Sequence, residues 1–201
     1  MICWIVIPVK APSDAKRRLA SVLNPKAREA LTTAMLARAL QASSAVRTPC
    51  ELALVGNYHP GLPDGIELLP EPVGGLNAAL VSARMVVAGR GASRIVTLAA
   101  DLPLVEPAEV AALCDLPFGV VGIAPDRHGT GTNALSLPLP AALDFTYSYG
   151  PGSYSLHKAE VVRRGLSFQI IDRPGLARDI DEPADLTDAR DLLPGLSVGA
   201  R

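Results

Sequence analysis

Arg94-Ile95-Val96-Thr97-Leu98-Ala99 runs directly into Ala100-Asp101-Leu102-Pro103. The first six residues are mostly apolar and lack the strict alternation of a half-solvated strand. That is the pattern of a strand covered on both faces, as in a parallel sheet. A carboxylate just past the carboxyl end of such a strand stands where open α/β sheets bind ligands. Asp101 is therefore a candidate ligand for a divalent cation. Its alternative role is to cap the turn that Pro103 enforces.

Outward from this stretch, strand-like runs and helical periods alternate. Apolar runs at Ile2–Ile7, Glu51–Gly56, Ile66–Leu69, Val120–Ala124, Ala134–Leu137 and Phe168–Ile171 read as further strands. Asn24-Pro25 reads as a helix N-cap and first position, followed by Leu31, Met35, Ala39 and Leu40 at helical spacing. Leu76, Leu80, Ala83 and Val87 mark a second helix that Gly89 should stop, and Pro107 opens a third reaching Cys114. Ser153–Arg164, ended by Gly165, and Pro183–Leu193 complete the helices. The expectation is an α/β fold, a three-layer αβα arrangement with a mainly parallel central sheet. One domain should cover 1–193, with 194–201 a frayed tail.

Composition narrows the function classes. Lys and Arg (19) nearly balance Asp and Glu (20), and aromatic residues make up only 4%, so neither a basic footprint nor a stacking platform for nucleic acid is present. No apolar run approaches the ~20 residues of a membrane span, and Met1–Ile7 reads as a first strand rather than a leader, so the expected address is the cytoplasm. Cys3, Cys50 and Cys114 are far apart in sequence and form no C-x-x-C pair, which supports neither a disulfide framework nor a zinc ribbon. Cys3 and Cys114 read as small buried hydrophobes. The expected partners are small molecules.

Unusual residues cluster in the loops that follow strands. Lys10, Lys16, Arg17 and Arg18 put four cations within nine residues after the first strand, a concentration better explained by a bound polyanion than by solvent. Glu71-Pro72-Val73-Gly74-Gly75-Leu76-Asn77 places two glycines before a helix, leaving its amides open to a ligand. Gly129, Gly131 and Ala134 mimic a G-x-G-x-x-A fingerprint, but the strand-like Leu135-Ser136-Leu137-Pro138 follows where a helix is required, so a dinucleotide site is rejected. That loop still offers amides and hydroxyls to an anion. Ser153, after Tyr149-Gly150-Pro151-Gly152, reads as a helix N-cap or a phosphate ligand, with His157 one turn on, where it either supports that site or packs. In Asp179-Ile180-Asp181, residues two apart share a face if the segment is extended, so both carboxylates can join Asp101 on a metal. Three clustered carboxylates require a cation among them. His59, His128 and His157 show no zinc spacing, and no G-x-x-x-x-G-K-[ST] occurs.

In this order the motifs resemble the 2-phospho-L-lactate guanylyltransferase family of the CofC type, which acts in coenzyme F-420 biosynthesis. The stretches that carry it are Ile7-Pro8-Val9-Lys10 with Ala15-Lys16-Arg17, Gly75-Leu76-Asn77, Ala100-Asp101-Leu102-Pro103, Ala124-Pro125-Asp126-Arg127 with Gly129–Ala134, Tyr149-Gly150 with Ser153, and Asp179-Ile180-Asp181 with Pro183. The resemblance implies a Rossmann-like fold of the nucleotide-diphospho-sugar transferase kind. It implies GTP as GMP donor, Mg²⁺ as the ion, and a three-carbon phospho-acid as acceptor: 2-phospholactate, phosphoenolpyruvate or 3-phosphoglycerate. Asp101, Asp179 and Asp181 would hold the metal. Lys10, Lys16 and Arg17 would face the GTP phosphates. Glu71, Gly74, Gly75 and Asn77 would meet the nucleoside, and Thr132, Asn133, Gly150 and Ser153 the acceptor. Hand-off of the product to the next transferase of the pathway is also implied. Tyr149 stands where the family commonly has Phe, which adds a hydroxyl near the acceptor. A molybdopterin-type nucleotidyltransferase is disfavoured because the first loop, Pro8-Val9-Lys10-Ala11-Pro12, has no glycine. A GTP-binding module without catalysis is disfavoured by the three aspartates.

Overall fold

The computed structural model describes residues 2–10, 16–56 and 63–192, so residues 11–15 of the first loop, His59 and the 194–201 tail lie outside the described residues. Seven strands fall within two residues of their sequence-predicted ends: β1 (Ile2–Val9), β2 (Cys50–Gly56), β3 (Ile66–Leu69), β4 (Ala92–Leu98), β5 (Val120–Pro125), β6 (Thr132–Pro138) and β7 (Ser167–Ile170). They form one sheet in the order β3-β2-β1-β4-β6-β5-β7. All neighbours run parallel except β6, which is antiparallel to β4 and β5. The reversal follows from chain length. The turn at 126–131 is too short for the dozen or so residues of a crossover, so β5 and β6 form a hairpin.

Strand β1 shows why its run is unbroken. Cys3, Ile5, Ile7 and Val9 enter one apolar cluster, with Leu36, Ala39 and Leu40 of α1 (Pro25–Ser44), Val110 and Leu113 of α3 (Pro107–Cys114) and Leu176 of α5 (Pro174–Ala177). Trp4 and Val6 enter the opposite cluster, with Ala79, Leu80, Ala83 and Val87 of α2 (Gly75–Gly89) and Val161 of α4 (Ser153–Arg163). Both sheet faces are covered by helices, so the fold is the three-layer α/β arrangement.

Helix ends test the capping chemistry. The Asn24 side chain accepts the Ala27 N–H at 2.9 Å, as expected. Gly89 is the last residue of helix α2 rather than its stop: Arg90 is the C-cap, and Gly91 takes the left-handed conformation (φ 78°) that follows it. Gly152, not Ser153, caps α4, because φ 73° at that position suits glycine. The segment Pro183–Leu192 is a 3-10 helix. Its first turn is tightened by an i→i+3 bond from Asp185 N to Glu182 O, 2.9 Å. Helix α5 and a second 3-10 segment, Arg17–Ser21, are too short to leave a period in the sequence. Among the described residues no helix is long and apolar enough to cross a membrane.

Candidate active site

The three aspartates meet. Asp101 follows β4, and Asp179 and Asp181 lie between α5 and the 3-10 segment. One carboxylate oxygen from each lies within 4.8 Å of the others. The alternation expected of 179–181 explains the convergence: Ile180 is fully buried, in a small cluster with Leu19, Leu23, Leu31, Met35, Leu186 and Ala189, so its neighbours face outward. The Ile180 N–H donates to Asp101 O at 3.2 Å, tying the two loops together. Burial, and then the charges of Asp101 and Asp181, push the Asp179 carboxyl above the usual range, although the Asn133 amide opposes them.

Lys16 supplies the local cation. Its ammonium donates to Asp101 Oδ2 at 2.5 Å and Asp181 Oδ1 at 3.0 Å. The Asp101 and Asp181 charges outweigh burial and push its pKa up. Lys16 has φ 55° and ψ 41°, a left-handed backbone that costs a lysine free energy. It precedes the 3-10 turn whose Leu19 sits in the same apolar cluster as Ile180, so the cation and two of its carboxylates share one anchor.

The sequence did not expose the groups that brace this arrangement. Asp185 Oδ2 accepts the N–H groups of Asp181 and Glu182, both at 2.8 Å, and Asp185 pairs with Arg127. The Arg127 backbone N–H donates to Ala177 O at 2.8 Å. Asp126 collects the N–H groups of His128, Thr130 and Gly131 and the Thr130 hydroxyl. Burial raises its pKa, but those donors prevail and lower it. A Cβ at Gly131 would lie 2.8 Å from Asp126 Oδ2, so this loop needs glycine there.

Two clefts open beside the aspartates. The first, about 400 Å³, is lined by Lys10, Lys16, Glu71, Gly75, Ala100 and Thr32 among others. The second, about 340 Å³, is lined by Asp126, Thr132, Asn133, Gly150, Ser153 and Asp179 among others. Pro8, Leu76, Ala99, Asp101 and Asp181 line both, so the acidic cluster stands at their junction.

Several expected roles change. Arg17 is exposed and lines neither cleft. The described cations of the first loop divide: Lys10 and Lys16 line the first cleft, where Lys16 also pairs with Asp101 and Asp181, while Arg18 approaches Glu182 at 3.8 Å. Carboxylates thus relieve part of the repulsion expected of that loop, at Lys16 and Arg18. Asn77 lines neither cleft. Its amide clamps the Tyr149 backbone, accepting from N at 2.8 Å and donating to O at 3.1 Å, and so joins α2 to the loop before α4. Gly74 caps α2 at φ 133°, where a Cβ would meet Ala78 Cβ at 2.9 Å, so it too shapes backbone. Asn133 lines the second cleft, but its amide donates to Leu176 O at 2.9 Å and Asp179 Oδ1 at 3.1 Å, which positions Asp179. Asn77→Ala should cost about 1–3 kcal/mol of stability, since it leaves two backbone groups unpaired; urea unfolding of the variant checks this.

The second cleft has a defined hydroxyl. Buried His157 accepts the Ser148 N–H on Nε2 at 3.0 Å and lies 3.0 Å from Thr132 Oγ1 through Nδ1. With Nε2 accepting, the neutral ring carries its proton on Nδ1 and donates it to Thr132, leaving the Thr132 hydroxyl hydrogen for another acceptor. His157 is thus a supporting group of this cleft. The Tyr149 hydroxyl lies 2.6 Å from Thr97 Oγ1 and is committed to it. Burial lowers the His157 pKa to about 4. Below pH ~6.5 the unfolded chain binds a proton that the folded chain refuses until about pH 4, so stability should fall by ~3 kcal/mol as pH drops through that window. Denaturant titrations should show that slope flattened in His157→Gln; an equal slope in both proteins would refute the assignment.

Comparison with known proteins decides the family. Residues 3–191 match the family model described as guanylyl transferase CofC like. The chain belongs to this CofC-like guanylyl transferase family. Among CofC-like relatives, a phosphoenolpyruvate guanylyltransferase of Rubrobacter xylanophilus is 40% identical, covering 92% of each chain. One of Chloroflexus aurantiacus is 39% identical over 89% of each. In fold, this CofC-like protein is similar to a Desulfovibrio desulfuricans protein described as a nucleotide-diphospho-sugar transferase, with TM-score 0.76 and 18% identity over 97% of this chain and 89% of that one. It also matches the Francisella tularensis 2-C-methyl-D-erythritol 4-phosphate cytidylyltransferase, with TM-score 0.61 and 15% identity over 96% and 100% of the two chains. The family assignment makes the protein a nucleotidyltransferase.

Proposed function

We propose that the protein transfers GMP from GTP to the phosphate of a three-carbon phospho-acid and releases pyrophosphate, with phosphoenolpyruvate preferred over 2-phospholactate and 3-phosphoglycerate. One observation carries the reading: a cleft lined by Lys10, Lys16 and Gly75 and a cleft lined by Thr132, Gly150 and Ser153 meet at Asp101 and Asp181. A donor and an acceptor placed in the two clefts would bring their reacting ends together there. The names of the Rubrobacter and Chloroflexus relatives support GTP and phosphoenolpyruvate.

The acidic cluster offers three hard oxygen donors within 4.8 Å and no nitrogen or sulfur, a set suited to Mg²⁺. Held by Asp101, Asp179 and Asp181, the ion would supply neutralisation of phosphate charge. Lys10 and Lys16 hold the donor phosphates, aided by the open amides at the start of α2. Gly75 has no neighbour within 4 Å of its Cβ position, so a nucleoside can lie against its backbone. Glu71 lines the same cleft and offers a carboxylate to the N–H edge of guanine.

Thr132, with its proton directed away from His157, and Ser153 hold the acceptor phosphoryl group. That phosphate is already an anion and needs no general base. One of its oxygens bonds to the α-phosphorus of GTP as the bond to the bridging oxygen breaks, and pyrophosphate leaves. The chain contributes positioning and charge. The guanylylated acid would pass to the next transferase of coenzyme F-420 biosynthesis. GTP, Mg²⁺ and the three acids in competition, with that transferase present to trap product, provide the test by mass spectrometry. Guanylylated phosphoenolpyruvate with one pyrophosphate per product is expected. Acid-independent pyrophosphate release, or preference for another nucleotide, would overturn the reading.

A further inference from the structure

The sheet order brings together three thiols that sequence keeps far apart. Cys3 on β1 and Cys50 on β2 are register partners, and Cys114 ends α3 above the same face. Their sulfur atoms all lie within 4.8 Å of one another. Three thiolates around a metal at the ~2.3 Å of a zinc–sulfur bond would stand roughly 4 Å apart, so small side-chain rotations suffice to close the site. The cluster sits at the amino ends of β1 and β2, opposite the aspartates, and the transfer reaction does not use it.

A second feature bears on its charge. Arg94, the register partner of Cys3 on β4, is 6% exposed. Its guanidinium donates only to neutral acceptors: the carbonyl oxygens of Val120, Leu116 and Pro117 and the Ser136 hydroxyl. Among the described residues no carboxylate pairs with it. A buried cation without a counter-charge is costly. Three thiolates sharing one monovalent or divalent cation form a net anionic unit next to it.

We propose that Cys3, Cys50 and Cys114 form a three-thiolate site for a thiophilic d¹⁰ cation, Zn²⁺ or Cu⁺, which staples β1, β2 and α3 together. Soft sulfur donors select these ions over Mg²⁺, so this site and the aspartates sort different metals. On binding, each thiol releases its proton to solvent. Cys50, half-buried, also lines a cavity of about 260 Å³ with Ser43, Ser44 and Asp64, which gives an ion its entry path and room for a water as fourth ligand.

The full chain, reduced and kept anaerobic with excess Mg²⁺ to occupy the aspartates, is titrated with Cd²⁺ as a spectroscopic probe. It is then titrated with Zn²⁺ and Cu⁺ against a competing chelator. A sulfur-to-cadmium charge-transfer band saturating at one equivalent is expected, and the ion that survives the chelator identifies the resident metal. Bound metal should also slow alkylation of Cys50 in the unaltered protein, a readout that needs no variant. Cys50→Ser and Cys114→Ser should each weaken binding more than the ~100-fold that a lost supporting partner costs, with pyrophosphate release retained. No band at one equivalent, unprotected Cys50, or an unchanged band in Cys114→Ser would overturn the proposal.

Discussion

Replacing Asp101 by Asn is expected to slow GMP transfer about 10²–10³-fold without unfolding the protein. The substitution keeps the shape and removes one negative charge from the junction of the two clefts, where Asp101 stands with Asp179 and Asp181. The proposed reaction needs that charge to hold the cation that neutralises the phosphates. Folding does not need it. Asp101 is the first charge among those that raise the Asp179 pKa, so the variant relieves repulsion and the Asp179 carboxyl should return toward its usual range. Turnover and thermal unfolding measured on the same preparation separate the two effects. Wild-type turnover in Asp101→Asn would remove the aspartates from the chemistry.

Lys16→Met should combine three changes in a way that no purely structural residue would. The ammonium lies 2.5 Å from Asp101 and 3.0 Å from Asp181, and its side chain is 8% exposed. Without it, the three carboxylates lose the ammonium that pairs with two of them. Because Asp181 is 54% exposed and solvent screens part of the repulsion, the expected loss of stability is only about 1–3 kcal/mol. Divalent cations should bind more tightly, since the competing ammonium is gone. Under the proposed function transfer should still fall about 10²-fold, because a cation lining the donor cleft is lost. Calorimetric metal titration beside steady-state kinetics checks the pattern. Weaker metal binding in Lys16→Met would make Lys16 a brace for the aspartates rather than a rival of the ion.

The fold was legible where sequence encodes burial. The unbroken apolar run of β1 is buried on both faces, and the Asn24-Pro25 cap stands where its chemistry demands. What sequence lacks is direction and partnership. Nothing in Ala134–Leu137 says that β6 runs against its neighbours; the shortness of the link from β5 does. A four-residue helix such as Pro174–Ala177 has no period to detect.

The aspartates were legible for a related reason: loops after parallel strands converge, and Ile180 between two acids fixes their face. The roles of Asn77, Asn133 and Arg17 were not, because an amide or a guanidinium serves a ligand and a backbone equally well. Only the distances from Asn77 to Tyr149 and from Asn133 to Asp179 separate these uses. The spacing from Ser153 left His157 either supporting the site or packing, and its distance to Thr132 decides; Asp185 and Arg127 act on partners far along the chain that no local spacing announces. The sequence spacing of the three cysteines pointed to no shared site, because their meeting depends on strand order and register.

Binding of Mn²⁺, a paramagnetic substitute for Mg²⁺, tests the central claim most directly when followed by electron paramagnetic resonance. The wild-type protein and Asp101→Asn, Asp179→Asn and Asp181→Asn would be titrated without nucleotide. A strong class of bound Mn²⁺ in the wild type, weakened at least about 10-fold in every variant, is the expected result. Equal affinity in all four proteins would contradict the claim that these carboxylates jointly hold a cation where the two clefts meet.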